Sequence, residues 1–249
     1  MTQHTVHPTP ARVGEDRPPS DVRRVWRILF ALVAPVPWLA LAISNGITPD
    51  DLGGTTEETF RAIASDPSAA RAVQWLGLVF SLLLVPSAVA MIVAHRRVMP
   101  RLTLLVGGFV AYACCSALVN PNLNLIALIT ADHGFDSGTT TDLATRLEEY
   151  PTTIVAILPF FLTITLGRIA LGALLWKART APRPLATAML LASPVEFVLA
   201  GGPFGSNLGP TLSYVLTSIG FAAASVALWR MTDDEFDLPP TGVGTMHPS

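Results

Sequence analysis

The sequence predicts an all-α protein, a polytopic transmembrane helix bundle of about six spans with two short extracytoplasmic amphipathic helices. Only 14% of the 249 residues are charged, whereas a soluble domain typically carries about 25%. The chain also contains several long runs without any charged residue, and a span needs roughly 20 apolar residues to cross about 30 Å of hydrocarbon. The longest of these runs are residues 28–43, 72–94 and 102–131.

The chain begins with a polar segment, residues 1–21, that contains four prolines. Such a segment cannot bury enough apolar surface to offset the conformational entropy lost on ordering, so we expect a disordered cytoplasmic tail. The first span follows at about residues 25–44. A cleaved signal peptide is the alternative interpretation, because Ala40 and Ala42 resemble a small-residue cleavage motif.

Five further spans complete the predicted transmembrane domain, residues 22–230. The uncharged run that begins at Leu102 would form a helix of about 45 Å, which is too long for one span. We expect a break at residues 120–122, because Pro121 disfavours helix at the residue before it. An acidic cytoplasmic tail, residues 231–249, ends the chain. The predicted later spans are residues 72–94, 102 to the break, 152–176, 184–200 and 210–229.

The distribution of basic residues predicts the orientation of the bundle. Twelve lie in the two tails and in alternate short loops, against three in the remaining loops. Because cytoplasmic loops carry the excess of arginine and lysine, both termini are predicted to be cytoplasmic. The three residues on the opposite side are Arg61, Arg71 and Arg146.

Two of the predicted outer loops share a pattern typical of short amphipathic helices. The segments 56–65 and 141–150 each have a threonine suited to a helix N-cap, acidic residues early in the segment and apolar residues at helical spacing. Phe60 and Ile63 form the stripe of the first segment, and Leu143, Leu147 and Tyr150 form that of the second. We expect both helices to rest on the bundle or on the membrane surface.

Two charged residues lie well inside the predicted spans, Arg168 in the fourth and Glu196 in the fifth. A charge at the bilayer centre costs about 2.5–3.5 kcal/mol on insertion scales, so such residues usually face the bundle interior and pair. At about 1.5 Å per residue, the two lie at similar depths on consecutive antiparallel helices. A structural ion pair, a solute or proton site, and the absence of any contact remain open.

The segment Gly172–Lys177 and the turn at residues 182–185 read Gly-Ala-Leu-Leu-Trp-Lys and Pro-Arg-Pro-Leu. This string is similar to one in an uncharacterised family of six-helix bacterial integral membrane proteins, a domain of unknown function. The resemblance extends to the layout of most of residues 25–229, with a helical outer loop followed by hairpins with basic turns. It implies a six-helix plasma-membrane bundle without an assigned activity. The two polar tails depart from the pattern of the family.

Other motifs give little indication of chemistry. Asn120, Asn122 and Asn124 are weak candidates for a polar vestibule at the end of a span. The glycine-rich residues 201–210 lack the Gly-Lys-Ser/Thr ending of a phosphate-binding loop and follow no strand. We therefore predict no catalytic residues, no metal site and no cofactor, and we expect no enzymatic activity.

Three functional classes remain for a protein of the bacterial plasma (inner) membrane, of which a membrane enzyme would need a polar cluster that we do not find in the sequence. The first is a multi-pass protein with a structural or regulatory role, acting through contacts with other membrane proteins that the sequence does not identify. The alternative is a small-solute or proton-coupled transporter that uses the Arg168–Glu196 pair, a possibility that interrupted helices favour. The lipid bilayer is the one predicted partner, and a net charge of −2 predicts no nucleic-acid partner.

Overall fold

The computed structural model describes residues 22–49, 55–117, 122–179, 181–200 and 207–237, and every regular element in these ranges is helical. The predicted all-α class is therefore confirmed. A single π-helical turn, Thr163–Gly167, joins α8 to α9. The α-helices are α1 Arg23–Val33, α2 Val36–Ile47, α3 Thr56–Ser65, α4 Pro67–His95, α5 Pro100–Ala117, α6 Leu123–His133, α7 Ser137–Glu148, α8 Pro151–Leu162, α9 Arg168–Ala178, α10 Arg183–Ala200, α11 Leu208–Arg230 and α12 Asp233–Phe236.

Six helical passes of the described residues make up the main bundle: α1 with α2, α4, α5, α8 with α9, α10, and α11. Helix α11 is central, because it packs against α1, α2, α4 and α10. Four of the passes have the length and apolarity of a membrane-spanning helix, which agrees with a membrane protein, and α5 is apolar but shorter. These four are Arg23–Ile47, Pro67–His95, Pro151–Ala178 and Leu208–Arg230.

The outer surface of the bundle is strongly apolar. Leu105, Val155 and Val198 are each at least 70% exposed, whereas a soluble monomer rarely exposes large contiguous apolar patches. Tryptophans lie near both ends of this surface, as is common at membrane interfaces. Trp75 precedes the end of α4 by twenty residues, or about 30 Å of helix, a length that matches the hydrocarbon core.

The first pass is broken between α1 and α2, at Pro35 and Pro37. Because a proline lacks the backbone N–H, it leaves a carbonyl group of the preceding turn without its helical partner. Serine hydroxyls on the neighbouring helices α4 and α11 donate to carbonyl groups around the break, which is how interrupted helices are tolerated in an apolar environment. The bonds run from Ser87 to Ala34, from Ser218 to Pro35 and from Ser225 to Ala31.

Three short helices, α3, α6 and α7, gather beside the start of α4 and form what we call the cap. They share a small core that includes Phe60, Ile63, Ala127 and Ala144. The sequence predicts two helices here, and α6 is an addition to them. Its residues are uncharged as far as Ala131, so they read as a continuation of the third span.

The two predicted cap helices differ in how well their bounds agree with the structure. The first, α3, has the expected bounds, although its N-cap is Thr55, which forms a reciprocal capping box with Glu58. The second, α7, begins four residues earlier than predicted and ends two residues earlier. Asp136 is its N-cap and accepts a hydrogen bond from the backbone N–H of Thr139 at 2.8 Å.

The opposite end of the bundle, which we call the arginine end, holds the first described part of the acidic tail. Here residues 233–236 form α12, and Phe236 is buried with its ring centroid 6.3 Å from that of Phe30. Arginines of α1 and of the turn after α4 bind this helix, so the segment up to residue 237 is docked on the bundle. Residues 1–21 and 238–249 lie outside the described residues. The contacts are Arg23 to Asp234, Arg27 to Asp233, Arg96 to the carbonyl of Phe236 and Arg97 to the carbonyl of Asp234.

Glycines allow three of the helices to approach closely, as is common in membrane bundles. A Cβ atom at Gly172 of α9 would lie 2.6 Å from Cγ of Leu190 and 2.8 Å from its backbone nitrogen, on α10. A Cβ atom at Gly220 of α11 would lie 2.7 Å from Cβ of Met189. Helix α10 is therefore held between two glycine contacts.

We expect the substitution Gly172→Ala to lower the free energy of unfolding by about 1–3 kcal/mol, the usual cost of overpacking. The new methyl group meets the backbone of α10, so α9 and α10 have to separate. The matched control is Gly77→Ala on α4, where a Cβ atom would have no neighbour within 4 Å. Unfolding of the purified protein in detergent measures both, and equal stability of the two variants would contradict the close approach.

Candidate functional site

Arg168 and Glu196 meet inside the bundle, where α9 packs against α10. The guanidinium of Arg168 donates a hydrogen bond to Oε2 of Glu196. The side chain of Arg168 is 3% exposed and that of Glu196 is 23% exposed. The structure thus brings the two predicted site residues together, while their role, structural or functional, stays a prediction.

The π-helical turn immediately before α9 positions Arg168. A π turn places one extra residue in the helix and rotates the residues that follow it. Ser193 of α10 donates to the carbonyl oxygen of Thr165 in this turn at 2.9 Å, and this bond ties the irregular backbone to the helix that carries Glu196.

Helix α11 completes the site with two hydroxyl groups. Arg168 donates to Oγ of Ser213 and, at 3.3 Å, to Oγ1 of Thr217. Ser213 in turn donates to Oε2 of Glu196 at 3.0 Å, and Thr217 donates to the carbonyl of Ser213 at 2.8 Å. The carboxylate therefore accepts from both the guanidinium and a hydroxyl, which links three helices.

An aromatic face covers the charged pair on one side. The guanidinium carbon of Arg168 lies 5.5 Å from the ring centroid of Tyr214, within the range of a cation–π interaction. Trp38 lies next to Tyr214, with 6.5 Å between their ring centroids. The ring of Tyr214 therefore contributes to the burial of the guanidinium of Arg168.

The described cavity that Arg168 lines is small. The cavity beside it has a volume of about 10 Å³ and is lined by apolar groups such as Phe160, Leu171 and Phe221. One water molecule needs roughly 10–15 Å³ and two to four polar partners, so this cavity is too small and too apolar for a solute. The arrangement resembles a set of structural polar contacts between helices more than a binding pocket.

The described residues around Arg168 do not form a serine nucleophile with an adjacent base. Ser213 is a potential nucleophile, but its partners are an arginine and a carboxylate bound to that arginine. Nucleophilic catalysis by serine needs an adjacent base that can take up the proton, and the described side-chain partners of Ser213 include neither a histidine nor an unpaired carboxylate. The geometry favours stabilisation of the bundle.

The predicted asparagine vestibule is only partly described, since Asn120 lies outside the described residues. Asn122 is the N-cap of α6, where it accepts from the backbone N–H of Leu125 at 3.0 Å. Its amide also donates to Gln74 of α4 at 2.8 Å. Asn124 is half-buried on α6. Asn122 thus joins α6 to α4, and the vestibule stays a prediction.

Comparison with known families gives one match. The sequence model of the family described as Domain of unknown function (DUF4386) covers residues 29–231. The chain belongs to this family. Searches of the curated proteins and of the solved structures find no significant match. The expected membership of an uncharacterised family is therefore confirmed.

The DUF4386 match includes the main bundle from the second half of α1 onward, the whole cap, and both Arg168 and Glu196. It ends at Met231, so α12 lies beyond it. Because the family has no assigned activity, membership gives no role to any of these residues. Their role has to be inferred from the geometry of the site.

The partners of Arg168 on α11 were not predicted from the sequence. Ser213 and Thr217 are four residues apart and share one helix face, which is a usable signal. The signal is weak, because small polar residues also occur elsewhere in the predicted spans, as at Ser193 and Ser225. Ser213 and Thr217 are identified as the partners of Arg168 only once the packing of α11 against α10 is known.

We expect Arg168→Ala to destabilise the protein by about 3 kcal/mol, at the lower end of the range for a broken buried pair, because it leaves the acid of Glu196 without its cation. The double variant Arg168→Met/Glu196→Leu should recover much of this loss, since it removes both charges. Unfolding in detergent measures both variants.

The matched control is Arg71→Ala, which removes an exposed partner of Asp132 and should cost at most about 1 kcal/mol. If Arg168→Ala behaved like this control, or if the double variant were as unstable as the single one, the pair would not stabilise the bundle.

Proposed function

We propose that this DUF4386 protein is a multi-pass protein of the bacterial plasma membrane with a structural or regulatory role, exerted through contacts with other membrane proteins. In this proposal six passes cross the bilayer and both termini are cytoplasmic. The arginine end faces the cytoplasm, and the cap lies on the outer side.

The observation that carries the proposal is the closed interior around Arg168. The charged groups there are held by partners on three helices, and the adjoining cavity has only about 10 Å³. A transporter needs a site that solute or protons can reach from one side at a time. The burial of Arg168 beside so small a cavity supports a bundle that keeps one conformation.

Two features favour the alternative, a small-solute or proton-coupled transporter. The pass that carries Arg168 is interrupted by Pro159 and by the π turn, and interrupted helices often surround transport sites. In addition, the side chain of Glu196 keeps 23% exposure. A different conformation of this pass would be needed to open a path to the pair.

The orientation can be tested with reporter fusions after residue 21 and after residue 237, expressed in a bacterium. We expect cytoplasmic signals from both, because the arginines gather at the end of the bundle where α1 begins and α11 ends. A fusion in the α3–α4 connection, at Asp66, provides the control and should report the outer side. An outward signal at either terminus would contradict the proposed six crossings.

The functional class can be tested by proton flux in proteoliposomes that contain a pH-sensitive dye. After an imposed pH jump, we expect vesicles with the wild-type protein to equilibrate at the rate of vesicles without protein. The matched variant Arg168→Met/Glu196→Leu should give the same rate. A protein-dependent flux that the double variant abolishes would contradict the proposed structural or regulatory role. It would instead establish the Arg168–Glu196 pair as part of a proton path.

A further inference from the structure

A large cavity opens in the cap, far from Arg168. It lies between α3, α6 and α7 and has a volume of about 740 Å³, within the range of roughly 300–1,000 Å³ typical of small-molecule sites. Its apolar wall is contributed by α3, by α6 and by the turn after α6, while α7 lines it with polar residues and a glycine. The residues of this wall are Phe60, Ala64, Ala127, Ala131 and Phe135.

The polar groups that line the cavity are hydroxyls, two carboxylates and the guanidinium of Arg61, which is paired with Glu57 at 2.8 Å. The hydroxyl protons of Thr130 and Thr145 are donated within their own helices, to Ile126 at 2.8 Å and to Thr141 at 3.0 Å. Their oxygens can still accept hydrogen bonds, since a hydroxyl oxygen has two lone pairs. The lining is thus suited to a molecule that donates hydrogen bonds or carries positive charge.

Two carboxylates, Glu57 and Asp142, also line the cavity. Each has an arginine partner four residues along its own helix, Arg61 at 2.8 Å and Arg146 at 2.9 Å. These pairs are exposed to solvent, and such pairs contribute only about 0–1 kcal/mol. Either carboxylate can therefore turn to a bound cation at little cost.

The cap as a whole carries a net negative charge. Residues 55–71 and 122–150 contain eight acidic residues and three arginines, and all three arginines are in ion pairs with acids. Asp136 lies close to the lining residue Gly138, and hydrogen bonds from the side chain and backbone of Thr139 hold its pKa below the usual value. A local excess of negative charge attracts cations.

Aromatic rings complete the match to an organic cation. Phe60 is buried in the wall, whereas Phe135 is 57% exposed. A cation over an aromatic face gains about 0.5–2 kcal/mol, depending on its desolvation. An inorganic ion would gain nothing from this apolar wall, and a neutral apolar molecule would gain nothing from the carboxylates.

We propose that the cap cavity of this DUF4386 protein is a binding site for an organic cation with an apolar body, such as a lipophilic ammonium or phosphonium ion. The apolar wall would hold the body, while Glu57 and Asp142 would neutralise the charge. This inference goes beyond the proposed function and does not depend on it, because a static bundle and a transporter could both carry such a site.

Two ions of nearly equal size and opposite charge test the proposal, tetraphenylphosphonium and tetraphenylborate. Binding to the full-length protein in zwitterionic nanodiscs is measured by equilibrium dialysis, with empty nanodiscs as the reference for partitioning. We expect saturable binding of tetraphenylphosphonium at one site per chain. Tetraphenylborate should bind no more than it does to empty nanodiscs.

Two kinds of variant locate the site. The double variant Glu57→Gln/Asp142→Asn should weaken tetraphenylphosphonium binding by about tenfold or more, because it removes both carboxylates from the wall. The matched control, Glu148→Gln/Glu149→Gln, removes the same charge from α7 and its end but outside the cavity lining, so its effect should be under about threefold, given screening by salt. Ala131→Trp fills the cavity without changing its charge and should abolish binding.

Three results would overturn the proposal. One is tetraphenylphosphonium binding no greater than to empty nanodiscs, and another is equal binding of the borate. The third is unchanged affinity in Ala131→Trp, which would move the site elsewhere. Size-exclusion chromatography confirms that each variant is folded, and if the double variant aggregates, Ala131→Trp alone decides. None of these results concerns the Arg168–Glu196 pair, so the proposed function is tested independently of this proposal.

Discussion

The guanidinium of Arg168 lies inside a bundle whose outer surface is apolar, so its hydrogen-bond partners have to come from other helices. They come from Glu196 on α10 and from Ser213 and Thr217 on α11. The same constraint acts on the backbone, where hydroxyls of α4 and α11 satisfy carbonyls at the break in the first pass. Polar contacts thus determine which helices lie together, and the glycines on either side of α10 set how closely they approach.

The bundle and the cap satisfy their polar groups in different ways. The bundle does so in its interior, whereas the cap does so beside a cavity and at its surface. The bundle buries the guanidinium of Arg168 beside a cavity of about 10 Å³. The cap has its own small core, exposed ion pairs and a cavity of about 740 Å³. The polar groups of the cap are therefore more accessible than those around Arg168.

Sequence patterns predicted those elements whose signals are local. Helix α3 has the predicted bounds, because its acids and apolar stripe lie within one short segment. Helix α6 was not predicted, because its uncharged residues resemble the end of a span. Its place in the cap follows from its packing against Phe60 and Ile63 of α3, which the sequence does not show. The hydroxyl partners of Arg168 required the packing of α11, which no periodicity in the sequence specifies. The cavity in the cap depends on three helices and was likewise not predicted.

The arginine end shows how one set of residues can serve both topology and packing. Arg27 donates to the carbonyls of Leu228 and Trp229 at 3.2 and 3.3 Å, where the end of α11 leaves carbonyl groups without helical partners. Arg96 and Arg97 bind carbonyls of the docked segment in the same way. The acids of α12 offset part of this charge, but orientation follows the number of arginines and lysines rather than the net charge. The arginines can therefore hold α12 in place without weakening the signal that predicts a cytoplasmic location for this end.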